Sequence, residues 1–359
     1  MDKNRLFQNY FNGLIDVAHF SLRSKKSYRP LIVVIEPAYA CNLRCKSCNL
    51  WKIKEKSILD EYLTLNQYKT LFEELGKLGV FKLVISGGEP FLKKDIIKII
   101  KTAKNNGLSV YITTNGTLLD EEKIKFLIKN KVDEILFSID GPIEDIHDKI
   151  RGVKGTFEKV ITNIKKLDLE KKKFGSETPK IIINSVISKY NIDYLDKIFN
   201  LFKDVEVSQF SFYYPTCISK KSLKELNSIF GKNMYSKQFF NLNIKPDNKK
   251  LKDFYVYLKN YDKKKIFLKV PTLRNYFLNS CSYLWIATTI SPSGDVYPCT
   301  IFDRFKMGNI KEKSLNEIWN SEEYTLLRKK FLDNKLKVCK ECTCGMNINN
   351  IFTRLPSFL

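Results

Sequence analysis

Short apolar runs alternate with longer amphipathic stretches between residues 31 and 215. The runs are rich in β-branched residues at consecutive positions, which is typical of strands buried on both faces of a parallel sheet. They lie at residues 31–36, 82–86, 109–113, 134–139, 180–187 and 207–214. Helical periodicity lies between them, at residues 65–78, 94–105, 121–129, 157–172 and 194–203. This alternation predicts a parallel α/β sheet or barrel, in which ligands bind at the carboxyl ends of the strands.

The two ends of the chain and the segment after the last strand depart from this alternation. The N-terminal stretch has apolar residues at helical spacing and predicts an amphipathic helix, which packs on the core or contacts a membrane surface. The segment after the strands is rich in Lys, Asn and aromatic residues, with helical patches near 220–230 and 251–260. We therefore divide the chain into an N-terminal helix, a core, a connecting segment and a cysteine-bearing region, at residues 1–30, 31–215, 216–280 and 281–359.

A β-hairpin is predicted at the start of the cysteine-bearing region. Two short apolar runs, Ile286–Ser291 and Asp295–Cys299, flank a Pro-Ser-Gly turn. The hairpin would bring Cys281 and Cys299 towards each other.

Hydropathy and charge narrow the function classes. The longest aliphatic run has five residues, at 31–35, so no transmembrane helix is predicted. The N-terminus lacks the apolar core of a secretory signal, which predicts a cytoplasmic protein. The net charge is +23, but only nine of the 62 basic residues are Arg. Since phosphate and base recognition favours Arg, we interpret the excess as lysines on solvated faces and consider nucleic acid an improbable partner, while an acidic partner stays open.

The chain has nine cysteines and two histidines. An odd number of cysteines in a reducing compartment argues against a disulfide framework. With so few histidines, a metal centre must rely on thiolates, which select zinc or iron–sulfur clusters.

Three of the cysteines, Cys41, Cys45 and Cys48, form a CxxxCxxC motif directly after the first predicted strand. Three thiolates on one loop can hold three corners of a cubane cluster. The fourth iron then stays open to an external ligand, which is the usual arrangement of a reactive metal site. A zinc knuckle is the alternative, but no fourth Cys or His lies nearby.

This motif resembles the signature of the radical S-adenosylmethionine (SAM) enzymes. The resemblance implies a partial parallel (β/α)6 barrel and a 4Fe–4S cluster that binds SAM. In that family, reductive cleavage of SAM gives methionine and a 5′-deoxyadenosyl radical, which abstracts a hydrogen atom from the substrate.

Polar motifs at the ends of the later strands extend the resemblance. Each motif taken alone is typical of an ordinary turn, helix cap or surface residue. The motifs become specific for the family because they follow the cysteine loop in order, one at the end of each successive strand. The residue before the third cysteine is Ser47 rather than the aromatic residue common in the family, although Trp51 is near. The resemblance implies SAM-binding roles for Gly87, Gly88, Glu89, Pro90, Thr113, Asn115, Ser138, Asp140, Arg151 and Asn184.

The C-terminal cysteines resemble the SPASM/twitch extension of the same family. Five cysteines follow residue 280, a number that supports one auxiliary 4Fe–4S cluster, with structural zinc as the alternative. The predicted ligands are Cys281, Cys299, Cys339 and Cys342, with Cys344 as an alternative ligand.

Cys217 is a weak catalytic candidate, because it follows the sixth strand, where a thiol can donate a hydrogen atom or a proton. A buried, incidental cysteine is the alternative there.

The resemblance therefore implies a radical SAM oxidoreductase that needs a reductant such as flavodoxin or ferredoxin. Its substrate is a small molecule or a peptide, so that peptide maturation and sugar or cyclitol oxidation are both open, and an acidic substrate fits the lysine excess. A lipid substrate is an alternative. A non-catalytic iron–sulfur or zinc protein that binds nucleic acid is a further one, but it leaves the ordered strand-end motifs unexplained.

Overall fold

The predicted strands form the centre of one largely parallel sheet. The structure is a computed structural model and describes residues 27–52, 62–214, 219–230, 244–259, 266–269, 281–299, 302, 305–333 and 335–342. Six strands pair in parallel and in chain order. They are β1 (Ile32–Ile35), β2 (Lys82–Ile85), β3 (Val110–Thr114), β4 (Glu134–Ser138), β5 (Lys180–Val186) and β6 (Val207–Tyr213). The predicted α/β class is confirmed.

The sheet continues beyond both edges of this core. β7 (Ile266–Lys269) pairs in parallel with β6, within the segment interpreted as a connection. β8 (Ala287–Ile290) pairs in parallel with β1 at the opposite edge. It continues into the antiparallel strands β9 (Asp295–Tyr297) and β10 (Gly308–Asn309), which confirms the predicted hairpin. The cysteine-bearing region thus begins as part of the core sheet.

Helices lie between the parallel strands at the places where the periodicity predicts them, and others follow the last strand. In chain order the described helices are α1 (Leu65–Leu78), α2 (Ile96–Asn105), α3 (Glu121–Lys129), α4 (Glu144–Arg151), α5 (Thr156–Lys173), α6 (Ile198–Leu201), α7 (Lys220–Phe230), α8 (Asn248–Lys259), α9 (Tyr283–Ile286), α10 (Leu315–Trp319), α11 (Glu322–Leu332) and α12 (Lys337–Glu341). α1 has the bounds expected from the sequence, because Thr64 and Gln67 form a capping box and Gly79 ends the helix in the left-handed conformation. α4 was not predicted, since its eight residues include only two apolar ones.

The core lies between the sheet and these helices. Each strand of the first pair buries alternate residues, Val33 and Ile35 on β1 and Leu83 and Ile85 on β2. α1 buries Tyr68, Leu71, Phe72 and Leu75, the spacing of one helical face. The carboxyl ends of the parallel strands therefore lie together at one edge, fixed by the core beneath. Among the described helices, none is both long and apolar enough to span a bilayer. Residues 1–26, which make up most of the predicted N-terminal helix, lie outside the described residues, as do Cys217 and Cys344.

One carboxylate of α1 joins the core to the C-terminal region. Glu74 accepts hydrogen bonds from the backbone N–H groups of Leu315 (3.1 Å) and Asn316 (2.9 Å), the first two residues of α10. Ser314 and Glu317 complete a capping box at the same end. Since the first N–H groups of a helix have no partner within the helix, a carboxylate from another element can stabilise them.

We expect the Glu74→Ala variant to loosen this junction. Loss of two hydrogen bonds, each contributing about 1 kcal/mol, should speed exchange of the 315 and 316 amides roughly tenfold or more. Hydrogen-exchange mass spectrometry on peptides from this region measures the effect. Glu73→Ala is the matched control, because Glu73 is exposed on the same helix and its ion pair, with Lys69 at 4.0 Å, lies within that helix. Equal exchange in the two variants would contradict the assigned role of Glu74.

Candidate active site

The CxxxCxxC motif lies on the loop that leaves the carboxyl end of β1. Along its central part, Leu43 and Cys45 are buried while Arg44 and Lys46 are exposed. Two backbone bonds hold this part to the end of α4, from Arg44 N to Arg151 O and from Lys46 N to Ile150 O, both 2.9 Å. At the next residue, Gly152, a Cβ would come within 2.4 Å of Arg44 O, so only glycine allows this approach.

Each of the three thiols accepts a hydrogen bond from an N–H group. Backbone N–H groups of Leu43 and Leu50 donate to the sulfurs of Cys41 (3.4 Å) and Cys48 (3.3 Å). The third donor is a side chain, Arg151 Nη1, at 3.8 Å from the sulfur of Cys45. Donors of this kind stabilise a sulfur that carries negative charge, as a cluster ligand does.

Burial opposes ionisation of these thiols when no metal is bound. It raises the pKa of Cys41 to about 11 and also raises the pKa of Cys48. Binding of iron must therefore release protons, and cluster assembly depends on pH.

The donor set fits a cubane cluster, whose usual protein ligands are cysteine thiolates that each bind their own iron. Three thiols, each with an N–H donor, fit three corners of such a cluster.

The Gly-Gly loop after β2 lies directly on the backbone that precedes Cys41. Gly88 N donates to Ala38 O at 2.9 Å, and Glu89 N donates to Ala40 O at 2.7 Å. A Cβ on Gly88 would lie 2.0 Å from Ala40 O, and one on Gly87 would lie 2.6 Å from Ala38 O. Gly87 also has a φ of 105°, which side chains disfavour. The glycines are thus required for contact with the protein's own backbone.

Glu89, predicted to bind the cofactor, directs its carboxylate into the protein. It is fully buried and accepts hydrogen bonds from Phe91 N (3.2 Å), Thr114 Oγ1 (2.7 Å) and Asn115 N (2.8 Å). Burial raises its pKa to about 7. The carboxyl group therefore links the ends of β2 and β3. Pro90 is buried beside it and begins a short 3-10 turn.

A chain of amides continues from this carboxylate to the cysteine loop. Asn115 Nδ2 donates to Asn42 Oδ1 at 2.8 Å, and Asn42 Nδ2 donates to Thr117 Oγ1 at 2.9 Å. The sequence analysis gave no role to Asn42 or Thr114. Thr113, for which a SAM-binding role was predicted, is half-buried at the end of β3. The hydrogen bond to Glu89 comes from its neighbour Thr114.

A buried ion pair lies at the end of β4. Asp140 is fully buried, and its Oδ2 lies 2.9 Å from Arg151 Nη2. Its Oδ1 accepts from Val186 N at 2.8 Å, and its carbonyl accepts from Asn191 Nδ2 at 2.9 Å. The imidazole of His147 is neutral, because burial lowers its pKa to about 3. Asp140 thus holds Arg151 in place beneath Cys45.

Asp140 Oδ2 has this ion pair as its contact, and two further buried polar atoms at this end of the sheet have no hydrogen-bond partner among the described residues. They are Asn184 Oδ1 on β5 and Arg151 Nε. Asn184 pairs in register with Ser138, the half-buried last residue of β4. An unsatisfied buried group costs about 1–3 kcal/mol, which a bound polar ligand can offset. These atoms fit a polar cofactor at this edge of the sheet.

Trp51 covers the end of the cysteine loop. Its indole Nε1 donates to Cys48 O at 2.9 Å, and its ring lies beneath Arg44 and Lys52, 5.4 and 5.2 Å from the centroid. Ser47 is half-buried in the same loop.

The C-terminal cysteines lie around the hairpin and at the end of the described chain. Cys281 precedes α9, Cys299 follows β9, and Cys339 and Cys342 lie on and just after α12. The first three are half-buried and Cys342 is buried, and all four pack against the core. These positions agree with a predicted centre next to the core sheet, while the ligand set itself stays a prediction.

A buried cation below this region escaped the sequence analysis. Arg328 on α11 is fully buried, with its guanidinium 4.6 Å from the ring of Trp319 and 4.9 Å from that of Tyr324. Its Nε donates to Leu284 O at 2.9 Å, three residues after Cys281. Burial lowers its pKa to about 10. Its only sequence signal is a position on the apolar face of a short helix.

Comparison with known proteins defines the class of this chain. Residues 35–202 match the radical SAM superfamily, and residues 281–343 match an iron–sulfur cluster-binding domain, the SPASM domain. Together these regions cover more than half of the sequence. The chain belongs to the radical SAM superfamily and carries a C-terminal SPASM domain, as the motifs indicated.

Relatives and solved structures agree with this assignment. The chain is 27% identical over 326 residues to an AdoMet-dependent heme synthase of Methanosarcina barkeri, covering 87% of this chain and 88% of the relative. It is 29% identical over 352 residues to a cysteine-type anaerobic sulfatase-maturating enzyme of Clostridium novyi, covering 88% and 85%. In fold it is similar to Streptococcus suis SuiB bound to the precursor peptide SuiA, with a TM-score of 0.68 at 19% identity, covering 95% and 77%. The protein is a radical SAM enzyme, with SAM and iron–sulfur clusters as its cofactors.

We expect Gly88→Ala to prevent assembly of the cysteine loop. Its Cβ would overlap the backbone at Ala40, and separating the two segments breaks the bonds that position Cys41. Iron content after anaerobic reconstitution should fall well below that of the wild type. Gly155→Ala is the control, because it also has positive φ but no atom within 4 Å of its Cβ, so it should keep full iron content at a cost of about 1 kcal/mol. A Gly88→Ala protein with full iron content would refute this role.

Glu89 should give the stability a characteristic pH dependence. Its pKa rises from 4.5 to about 7 on folding, so the native state binds the proton more tightly. The stabilisation is complete below pH 4.5 and is lost as the pH rises through 7, a change of about 3 kcal/mol. Urea unfolding at several pH values, followed by circular dichroism, measures it.

Glu89→Gln should lack this pH-dependent component, while Glu73→Gln, at an exposed position, should keep it. A Glu89→Gln variant with the wild-type pH profile would show that another group causes the dependence.

Proposed function

We propose that this enzyme cleaves SAM reductively at a 4Fe–4S cluster held by Cys41, Cys45 and Cys48. The observation that carries the proposal is the cysteine loop, in which each of three thiols accepts a hydrogen bond from an N–H group. When bound, the cluster supplies the electron that splits SAM into methionine and a 5′-deoxyadenosyl radical, which removes a hydrogen atom from the substrate. The protein positions SAM and substrate and excludes water.

We assign direct and indirect roles to the residues at the strand ends. Arg151 and Asn184 have unpartnered polar atoms and are proposed to bind polar groups of SAM, together with Ser138 and the loop Gly87–Pro90. Thr113 and Asn115 are proposed to complete this site. Glu89 and Asp140 already use their carboxylates within the protein, so their proposed role is to position the loop and Arg151.

The C-terminal cysteines support an oxidative outcome. Cys281, Cys299, Cys339 and Cys342, with Cys344 as an alternative, are proposed to hold an auxiliary cluster, which would supply a one-electron acceptor. Loss of a hydrogen atom to the 5′-deoxyadenosyl radical, of one electron to this acceptor and of a proton to solvent would amount to a two-electron oxidation of the substrate. A reduced one-electron carrier such as flavodoxin or ferredoxin is proposed to supply the first electron.

For the substrate we propose a polypeptide side chain. Support comes from the sulfatase-maturating relative, which aligns over 88% of this chain. A tetrapyrrole is the second candidate, supported by the heme synthase relative.

SAM cleavage tests the proposal. Anaerobically reconstituted enzyme with dithionite and SAM should form 5′-deoxyadenosine, measured by mass spectrometry. The Cys41→Ala/Cys45→Ala/Cys48→Ala variant should form none, because the cluster has lost its ligands. Ser47→Ala is the matched control from the same loop and should retain product formation.

Candidate substrates separate the two substrate classes. Peptides from a sulfatase or an iron porphyrin, deuterated on the side chain, are tested for transfer of deuterium into 5′-deoxyadenosine. Fully iron-loaded wild type that forms no 5′-deoxyadenosine and whose EPR signal is unchanged by SAM would contradict the proposed open iron site.

A further inference from the structure

The outer face of the cysteine loop is basic. Burial alternates along the loop between Leu43 and Lys46. Leu43 and Cys45 face inwards, while Arg44 and Lys46 are exposed. Two cations therefore lie on the outside of the segment whose inner side carries a cluster ligand.

Two aromatic rings lie beneath these two cations and beneath two more. Trp51 lies beneath Arg44 and Lys52, at 5.4 and 5.2 Å from the ring centroid. Tyr190 lies beneath Lys46 and Lys189 at 4.6 and 5.4 Å. All four cations are exposed and both rings are half-buried. We define the cluster-loop patch as Arg44, Lys46, Trp51, Lys52, Lys189 and Tyr190.

Within the described parts of the chain, no carboxylate neutralises the charges of this patch. Among the described residues, none of its four cations forms an ion pair with a carboxylate. Asp193, near it in sequence, is paired with Lys250 at 2.7 Å. Contact with an aromatic face also restrains a long basic side chain, which lowers the entropy lost when a partner binds. An ordered, uncompensated positive surface favours fast association with an acidic partner.

The patch is also bonded to the backbone of the cluster ligands. Trp51 Nε1 donates to Cys48 O at 2.9 Å, and Arg44 Nη1 donates to Cys41 O at 2.7 Å. A redox group docked on this surface would therefore be connected to the cluster through few bonds.

We propose that the cluster-loop patch is the docking surface for an acidic one-electron carrier protein. The carrier is oxidised by one electron and the SAM cluster is reduced by one electron for each SAM cleaved. This inference rests on the proposed function, because it requires a cluster behind the patch. An acidic peptide substrate or a nucleic acid would meet the same charge, and the experiment separates these occupants.

The test is the rate of cluster reduction in the iron-loaded enzyme. Photoreduced acidic flavodoxin is mixed with wild type and with Lys46→Glu/Lys52→Glu/Lys189→Glu in a stopped-flow instrument at low salt. The variant should show a second-order rate constant at least tenfold lower. The wild-type rate should fall with rising salt, and this dependence should largely disappear in the variant.

A matched variant controls for total charge. Lys98→Glu/Lys165→Glu/Lys166→Glu changes the same net charge at exposed positions on α2 and α5, and should be reduced nearly as fast as wild type. Photoreduced 5-deazaflavin, a small reductant that needs no docking surface, should reduce all three proteins at equal rates. Formation of 5′-deoxyadenosine with deazaflavin tests the proposed function separately from docking.

Several results would overturn the proposal. Equal flavodoxin rate constants for the patch variant and the charge-matched variant would do so, as would slower deazaflavin reduction of the patch variant, which would mean damage to the cluster. Unchanged flavodoxin rates with weaker binding of a poly-glutamate peptide or of tRNA would assign the patch to one of those partners. If the triple variant fails to hold iron, the test rests on the salt dependence of the wild-type flavodoxin rate and on the single variants Lys52→Gln and Lys189→Gln. A wild-type rate that does not change with salt, or single-variant rates equal to that of the wild type, would overturn the proposal.

Discussion

The parallel pairing of β1 with neighbours on both sides is the constraint on which the rest of the structure depends. Residues Ile32–Ile35 pair with β2 on one side and with β8 on the other. Backbone bonds continue past the strand ends, from Ser86 N to Ile35 O and from Glu36 N to Ile290 O. One short strand therefore brings the cysteine loop, the Gly-Gly loop and the start of the C-terminal region to the same edge.

The polar groups at this edge are held by the protein before any cofactor binds. Burying Glu89 and Asp140 is costly, and each carboxylate offsets the cost with hydrogen bonds from neighbouring strand ends, or with an ion pair to Arg151. At this edge, Asn184 Oδ1 and Arg151 Nε are buried and have no hydrogen-bond partner within the described chain. A rigid polar frame with a small number of unsatisfied groups suits a site that orients a polar cofactor.

Most of the fold could be predicted because its signals are local. Six strands and the long helices follow from apolar periodicity. α1 has its expected bounds because its capping residues can be recognised from the sequence. α4 escaped because its buried face consists mainly of polar and charged residues, which only the surrounding site stabilises. β7 escaped because its assignment depends on pairing with β6, far away in the sequence.

The sequence by itself determined the class of this protein, since the spacing of Cys41, Cys45 and Cys48 and the order of the strand-end motifs need no coordinates to be recognised. Only the tertiary structure decided how these residues act on one another. It turned the Glu89 carboxylate inwards, placed Arg151 against Cys45 and gathered basic side chains over Trp51 and Tyr190. The physical reason is that spacing along the chain determines which side chains one loop presents. The distances between groups from different strands, and the extent to which water is removed from around these groups, are determined only when the sheet and its helices pack together.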